Sequence, residues 1–395
     1  MKIAYINADP GVPVFGSKGC SVHVQEVVRA MLKRGAEVHL FATRIGDESS
    51  SDFSGVRIHP LPQLPKGDVA AREMAALAAN EFLHAALEQE TAKGGFDLVY
   101  ERYSLWSCAG MEFAREQGVP SVLEVNAPLI EEQSTHRTLI HRESASDVAA
   151  RAFRSAKVIT VVSRQLAQML EKDPNARGKV HVARNAVNPE RFADAIPTLA
   201  KEPDAFVIGF VGTLKAWHGL ATLIESFAQL APQSGVPRLL IVGDGPERER
   251  LDQQIAAHRL TERVQFMGAV SPDEVPGLLA SMDVAVAPYP PLPDFYFSPL
   301  KLYEYMAAGL PVVASRIGQV EEIVQDGVTG ILAPPGDAAA LATILHALQL
   351  NPEKRARLGN AARDAMRQNT WDDNVARIFS LAGVEAGCCG KETSS

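Results

Sequence analysis

Residues 283–315 read DVAVAPYPPLPDFYFSPLKLYEYMAAGLPVVAS, and the reading of this stretch decides the fold. Val284 to Ala287 is an apolar run of strand length, suited to burial in a sheet. A proline-rich loop follows from Pro288 to Phe297. Ser298-Pro299 reads as a helix start, because serine can cap free N–H groups and proline suits the first helical position. The spacing predicts a helix from Pro299 to about Ala308, ended by Gly309 and barred from continuing by Pro311. Val312 to Ala314 is a second buried strand. Strand, loop, helix and strand in this order imply two parallel strands joined by a right-handed crossover.

Such a loop lies at the carboxyl end of a parallel strand, where open α/β sheets bind ligands. The helix N-terminus adds unpaired N–H groups and a positive dipole end, which suit a phosphate. Lys301 sits in the first turn, where a cation opposes the dipole unless an anionic ligand offsets the cost. Glu304 lies one turn on, roughly on the same face. The same spacing also describes a plain surface Lys–Glu pair worth ~0.2–0.5 kcal/mol.

The segment PLKLYEYMAAGLPVVAS, with IVGDGPE at 241–247 and EEIVQDGVTGILAPPGD at 321–337, resembles the family-four (group 1) retaining glycosyltransferases of the GT-B fold. The resemblance spans nearly the whole chain. It implies an α/β protein with two Rossmann-like parallel-sheet domains facing across a cleft. It also implies transfer of a sugar from a nucleotide-diphosphate sugar to an acceptor hydroxyl, with retention at the anomeric carbon. Two glutamates eight positions apart mark this helix in the family. Glu304 matches the second, which contacts the donor ribose; the first falls at Tyr296, with Asp294 the nearest carboxylate. Further donor-side positions carried over are Ser298, Pro299, Leu300 and Lys301 at the helix start.

Taken in order, Lys2 to Asn7 is a first strand, and the loop GVPVFGSKGC leads into a helix from about Ser21 to Lys33. Gly16 and Gly19 let backbone approach a phosphate or sugar closely; the family has a glycine-rich loop at this place. Glu37 to Ala42 is the next strand, Arg72 to Gln89 a helix, and Asp97 to Glu101 a strand. Tyr103 and Trp106 follow it, as packing residues or as a platform for an acceptor. Ser121 to Val125 is a strand, after which Asn126 occupies the place of an active-site histidine in the family. Glu124 is a second polar group there, which strand alternation could turn inward. The polar stretch 130–154 has a helical pattern, with His136 and His141 read as solvated.

The first domain is expected to span 1–197, joined by a Pro/Lys/Glu linker to a second domain over 206–370. The helix 371–385 should pack back on the first domain, with 386–395 a flexible tail. In the second domain Gly212, Thr213, Lys215 and His218 follow the first strand. Family members have an arginine and a lysine against the diphosphate at the positions of Thr213 and His218; here Lys215 would supply the charge and His218 a hydrogen bond. Gly243 opens a loop with Arg248 at the third position of a nucleotide fingerprint. Backbone at Met267, Gly268 and Val270 would hold the base, as the resemblance implies. Lys301, Glu304 and Asn126 are the candidate catalytic residues.

The chain of 395 residues carries a net charge of −8, which disfavours a nucleic-acid partner. No apolar run reaches the ~18 residues of a membrane span, and MKIAYINADP has no signal-peptide shape. Contact with a membrane surface would need a local basic patch. Four cysteines, Cys20, Cys108, Cys388 and Cys389, have no metal-type spacing, and a reducing cytoplasm is the simplest setting. No Asp-x-Asp pair is present, so metal-independent chemistry without a cofactor is expected. No GxGxxG follows a strand, which argues against an NAD-dependent dehydrogenase. A GT-B epimerase or phosphorylase is the alternative within the fold. A catalytically inactive sugar-binding homologue is the non-enzyme reading, since Tyr296, Thr213 and Asn126 replace family residues.

Overall fold

The computed structural model describes residues 1–46, 51–200, 202, 204–230 and 236–384. Two compact units result. The first takes Met1–Gly16, Cys20–Arg184 and the chain from Trp371; the second takes Ser17–Gly19 and Asn185–Thr370.

The first unit holds seven parallel strands: β1 (Lys2–Asn7), β2 (Glu37–Ala42), β3 (Arg57–Pro60), β4 (Leu98–Arg102), β5 (Ser121–Val125), β6 (Val158–Val161) and β7 (Val180–Val182). Their order is β3-β2-β1-β4-β5-β6-β7. The second unit holds β8 (Ala205–Val211), β9 (Val236–Val242), β10 (Val264–Gly268), β11 (Val284–Ala287), β12 (Val312–Ser315) and β13 (Gly330–Ala333). Their order is β10-β9-β8-β11-β12-β13, again all parallel. Each sheet reverses its winding beside its first strand, between β1 and β4 and between β8 and β11. The crevice outside the carboxyl ends of those strand pairs is where such sheets take ligands.

Burial on both faces explains the unbroken apolar runs. Val284 and Val286 of β11 face one core of the second unit, which holds Ile208, Phe210, Leu239 and Ile241. Ala285 and Ala287 face the other, with Val211, Leu240 and Val242. Helices cover both sides, as parallel strands joined by crossovers require.

The helix of the central stretch runs Leu300–Ala307, with Pro299 at the cap position rather than inside the first turn. Ser298 does not cap it. Its Oγ accepts from the Asn185 N–H at 3.3 Å, and its carbonyl accepts from Asn185 Nδ2 at 2.6 Å. The C-terminus closes as the sequence implies. Gly309 has φ +73°, and Leu310 N–H reaches back to Tyr305 O at 3.1 Å while Gly309 N–H reaches Met306 O at 2.9 Å. One face buries Leu302, Tyr303, Tyr305 and Met306. The Tyr305 hydroxyl accepts from Val211 N–H at 2.7 Å, tying the helix to the last residue of β8.

Two organisational readings change. The sequence suggested that the first domain reaches residue 197, but the chain from Asn185 groups with the second unit. Phe192 is buried in its core, and Arg191 donates to Pro272 O at 2.7 Å. The supposed linker is pinned as well: Thr198 N–H bonds Gly277 O at 3.2 Å and Leu199 N–H bonds Ser281 Oγ at 3.2 Å. The helix Ala109–Gln117 has no counterpart in the sequence reading. The helix Trp371–Ala382 belongs to the first unit, where Trp371 meets the His23 ring edge-on at 4.9 Å and Lys157 Nζ caps Ala382 O at 2.8 Å. Cys388, Cys389 and the tail 386–395 lie outside the described residues. Among those residues no helix is long and apolar enough to cross a membrane.

Candidate functional site

Three adjacent strands of the second sheet end in glycines with positive φ: Gly212 after β8 (+142°), Gly243 after β9 (+130°) and Gly268 closing β10 (+73°). Close backbone approach demands this. A Cβ on Gly243 would lie 2.1 Å from Gly212 O. Gly212 N–H bonds Val242 O at 2.9 Å, and Gly243 N–H bonds Gly268 O at 2.7 Å. The next loops are pinned to one another too, by Leu214 N–H to Asp244 O at 3.0 Å and Glu247 N–H to Leu214 O at 3.2 Å. The result is a row of fixed backbone at the carboxyl edge of β8, β9 and β10. Met267, Gly268 and Val270 line its β10 end, all half-buried.

Lys301 completes this edge. Because Tyr305 holds the helix to β8, the Lys301 side chain runs to Gly212, where a Cβ would lie 2.7 Å from Nζ. Nζ is buried and makes no hydrogen bond among the described residues. It stands 4.1 Å from the centroid of the Phe210 ring and 5.9 Å from that of Tyr289. Burial pushes the ammonium down to about 7, with the Glu304 carboxylate acting in the opposite sense. A lysine in this state lacks a counter-ion within hydrogen-bonding reach. An anionic group entering beside Gly212 would supply one.

His218 shares the same aromatic walls, 6.0 Å from Phe210 and 6.0 Å from Tyr289 between ring centroids. Burial, reinforced by Lys301, pushes its imidazole down to about 3. Its Nδ1 contacts Thr213 O at 2.5 Å, so Nδ1 carries the proton and Nε2 is a bare acceptor. The expectation that His218 donates to a diphosphate therefore fails for the neutral ring. Lys215 lies over the exposed Trp217 ring at 5.1 Å. Tyr296, at the place of the family's first glutamate, is buried against Phe297 at 4.5 Å, and Asp294 is exposed.

In the first unit the candidates have other occupations. Glu124 turns into the protein, 4% exposed. It accepts from the Tyr100 hydroxyl, from Arg102 NH1 at 3.1 Å and from Asn126 Nδ2, and His23 Nε2 lies 2.7 Å away. Burial alone would raise this carboxyl. His23, Arg102 and Tyr100 outweigh it and hold the group far below the ordinary carboxylate range. The Asn126 amide is thus engaged by Glu124. Tyr103 is a core residue packed on Phe153, not a free platform. His141 is half-buried and pairs with Glu73 at 2.9 Å, which corrects its reading as solvated. Gly16 accepts through its carbonyl from Gln25 Nε2 at 2.9 Å, and Gly19, which groups with the second unit, opens the helix Gly19–Lys33.

Sequence reasoning missed a buried carboxyl at Glu101, which the Ser107 hydroxyl bonds. Burial pushes it up to about 7. The run DLVYE holds only a faint signal of it, an acidic residue closing an apolar strand. Also missed was the grouping of His39, His59 and Glu90, which no local spacing announces.

Comparison with known proteins identifies the family and the fold. The family model of glycosyl transferases group 1 matches residues 191–365, and that of Glycosyltransferase Family 4 matches residues 17–191. The chain is 26% identical over 373 residues to a phosphatidyl-myo-inositol mannosyltransferase of Mycobacterium leprae, covering 92% of each chain. Its fold matches sucrose-phosphate synthase from Thermosynechococcus elongatus with a TM-score of 0.74 at 21% identity, covering 96% of this chain and 98% of that one. It also matches HepE from Anabaena in complex with UDP-glucose, with a TM-score of 0.67 at 20% identity, covering 96% and 99%. The two family models together account for residues 17–365, and the chain belongs to the group 1 glycosyltransferases, enzymes of the GT-B fold.

Proposed function

We propose that this glycosyltransferase moves a hexosyl group from a nucleotide-diphosphate sugar to an acceptor hydroxyl, with retention and without a metal. One observation carries the reading: a buried Lys301 ammonium without a hydrogen-bond partner among the described residues, set at the carboxyl edge of β8 beside Gly212. A diphosphate placed there would meet Lys301, Lys215 and the N-terminus of the helix that Ser298, Pro299 and Leu300 introduce. Thr213 and the glycine edge would set its distance from the backbone. Glu304 would accept from the ribose hydroxyls, and backbone at Met267, Gly268 and Val270 would meet the base. HepE, a structural neighbour, is in complex with UDP-glucose, which makes a uridine diphosphate sugar the first donor to try.

In the proposed step the bond from the anomeric carbon to the diphosphate oxygen breaks as the acceptor oxygen bonds to the same face. The departing oxygen takes the acceptor's proton. Lys301 and the helix N-terminus stabilise the charge that develops on it. No carboxylate is reserved as a covalent nucleophile, because Glu124 is held by four neighbours and Glu304 is assigned to ribose. The anomeric configuration of the product, read by NMR, tests this. Retention with no sugar adduct on trapped enzyme is expected; an inverted product or an adduct on Asp294 or Glu124 overturns the step.

Glu304→Ala is expected to weaken donor binding more than tenfold with the fold intact, since a hydrogen bond to a charged group contributes roughly 1.5–3 kcal/mol. Calorimetric titration of donor measures it, and an unchanged Kd removes Glu304 from the site. Turnover is expected to survive EDTA, because lysine and helix dipole supply the counter-charge that a metal gives elsewhere. Loss in EDTA that Mg²⁺ or Mn²⁺ restores rejects this. The acceptor would be a glycan, a lipid-linked group or a small molecule, taken up in the cytoplasm or at a membrane surface.

A further inference from the structure

On the first sheet, His39 of β2, His59 of β3 and Glu90 in the last turn of the helix Val69–Thr91 bring three ligating side chains together. His39 Nδ1, His59 Nε2 and a Glu90 carboxylate oxygen lie within 4.8 Å of one another. His39 Nδ1 is 3.0 Å from His59 Nε2 and 3.7 Å from Glu90 Oε2. Donor atoms bound at about 2.0–2.1 Å around a tetrahedral zinc stand about 3.3–3.4 Å apart. Two of the three separations thus bracket the required value, and the third, between His59 and Glu90, lies within 4.8 Å and would have to close to it as the ion binds.

The remaining atoms of the ligands are held as a metal site requires. His39 Nε2 faces Glu37 Oε1 at 3.1 Å, which in the neutral ring puts the proton on Nε2 and aims a bare Nδ1 at the cluster. Lys93 Nζ takes Glu90 Oε1 at 2.7 Å, which leaves Oε2 as a single donor. Such outer partners orient metal ligands. His39 is fully buried, Glu90 is nearly so and His59 is half-buried, so solvent reaches the cluster from the His59 side. Phe41 lies 4.4 Å from the His59 ring and Phe96 lies 5.5 Å from His39, giving apolar walls.

A simple hydrogen bond between the two imidazoles is the competing account. It leaves Glu90 Oε2 only the long 3.7 Å contact with His39 Nδ1, an ion pair if that imidazole is protonated. Lys2, Lys93 and Arg57 face the cluster against the carboxylates Glu37 and Glu90. That surplus opposes any divalent ion alike, so the donor set discriminates: two imidazole nitrogens and one carboxylate oxygen offer too few oxygens for Mg²⁺ or Ca²⁺ and suit ions that bond imidazole strongly.

We propose that His39, His59 and Glu90 bind one zinc-class divalent ion, with water as the fourth ligand, and that the ion clamps the edge strand β3 to β2 and to the end of the helix Val69–Thr91. The site rests on the first unit alone and does not depend on the donor reading. The test uses the full, untagged chain stripped of metal. Addition of ZnCl₂ is expected to give one bound ion per chain and, at a hundredfold excess over Kd, a Tm rise of about 5–10 °C. Co²⁺ is expected to show the intense visible absorption of four-coordinate cobalt, and Mg²⁺ no binding. His59→Gln and Glu90→Gln should each abolish zinc uptake while far-ultraviolet circular dichroism stays unchanged. Absence of zinc uptake by the native chain, or uptake unchanged in both variants, overturns the proposal.

Discussion

Lys301→Met is expected to lower kcat/KM for transfer by about 10²–10³ while raising the Tm of the donor-free protein. The two effects share a cause. The ammonium is buried beside Gly212 and over the Phe210 ring with no hydrogen-bond partner among the described residues. A buried charge without a partner costs free energy, and an apolar side chain of similar length removes that cost. The same charge is where a leaving diphosphate would be stabilised, and removal of one such group from a preorganised site costs about 10²–10³ in rate. A variant that loses transfer and stability together would mean that Lys301 is structural.

The pH dependence gives the second arm of this experiment. An unfolded lysine titrates near 10.4, whereas burial brings Lys301 to about 7. Between those values the unfolded chain holds a proton that the folded chain has lost. Stability from this group therefore rises with pH across the window, and the burial cost is full below about pH 7. The Tm advantage of Lys301→Met should be largest below pH 7 and vanish towards pH 10. Donor binding has the opposite trend, because a diphosphate favours the protonated lysine. Its Kd should weaken about tenfold per pH unit above 7, with about one proton taken up per donor at pH 8. Calorimetry in buffers of different ionisation heat reads that proton. A flat Kd from pH 7 to 9 removes Lys301 from the diphosphate.

The architecture was legible because periodicity and punctuation are local. Val284 to Ala287, Gly309 and Pro311 each state their role within a few residues, and β11, the helix Leu300–Ala307 and β12 follow. The motif positions were legible for the same reason. What failed depends on contacts distant in sequence. Ser298 reads as a cap until Asn185, 113 residues away, takes its oxygens. His218 reads as a donor until the carbonyl of Thr213 fixes its tautomer. The strand partners that bring His39 beside His59 lie on β2 and β3, whose register no pattern in either strand states. Glu101 and Glu124 occupy strands whose two faces are both covered, so alternation alone does not say which acidic group is neutral and which is charged.

The difference between those two carboxyls sets the largest expected stability effect, at Glu124. Glu101 is buried with one oxygen lacking a hydrogen bond among the described residues and rises to about 7. Glu124 is as deeply buried, yet burial loses to the neighbouring His23, Arg102 and Tyr100 groups, which favour the ionised form. Glu124→Ala would leave Arg102, its side chain 11% exposed, and the Tyr100 hydroxyl without their acceptor. Breaking a buried pair from one side costs about 3–5 kcal/mol. The unfolding transition of the first unit, which holds Glu124, should move to lower denaturant accordingly. Because the folded carboxyl titrates far below its unfolded value near 4.3, the contribution is complete above that pH. It is lost as pH falls towards the folded pKa, so native and variant chains should converge in acid. Glu124→Gln keeps the shape and one acceptor, and should lose less stability while retaining at least about a tenth of the transfer rate. A covalent nucleophile would not survive that exchange, since an amide cannot replace an attacking carboxylate. Near-complete loss of transfer in a stably folded Glu124→Gln would assign Glu124 to the chemistry and not to the network that holds β4 to β5.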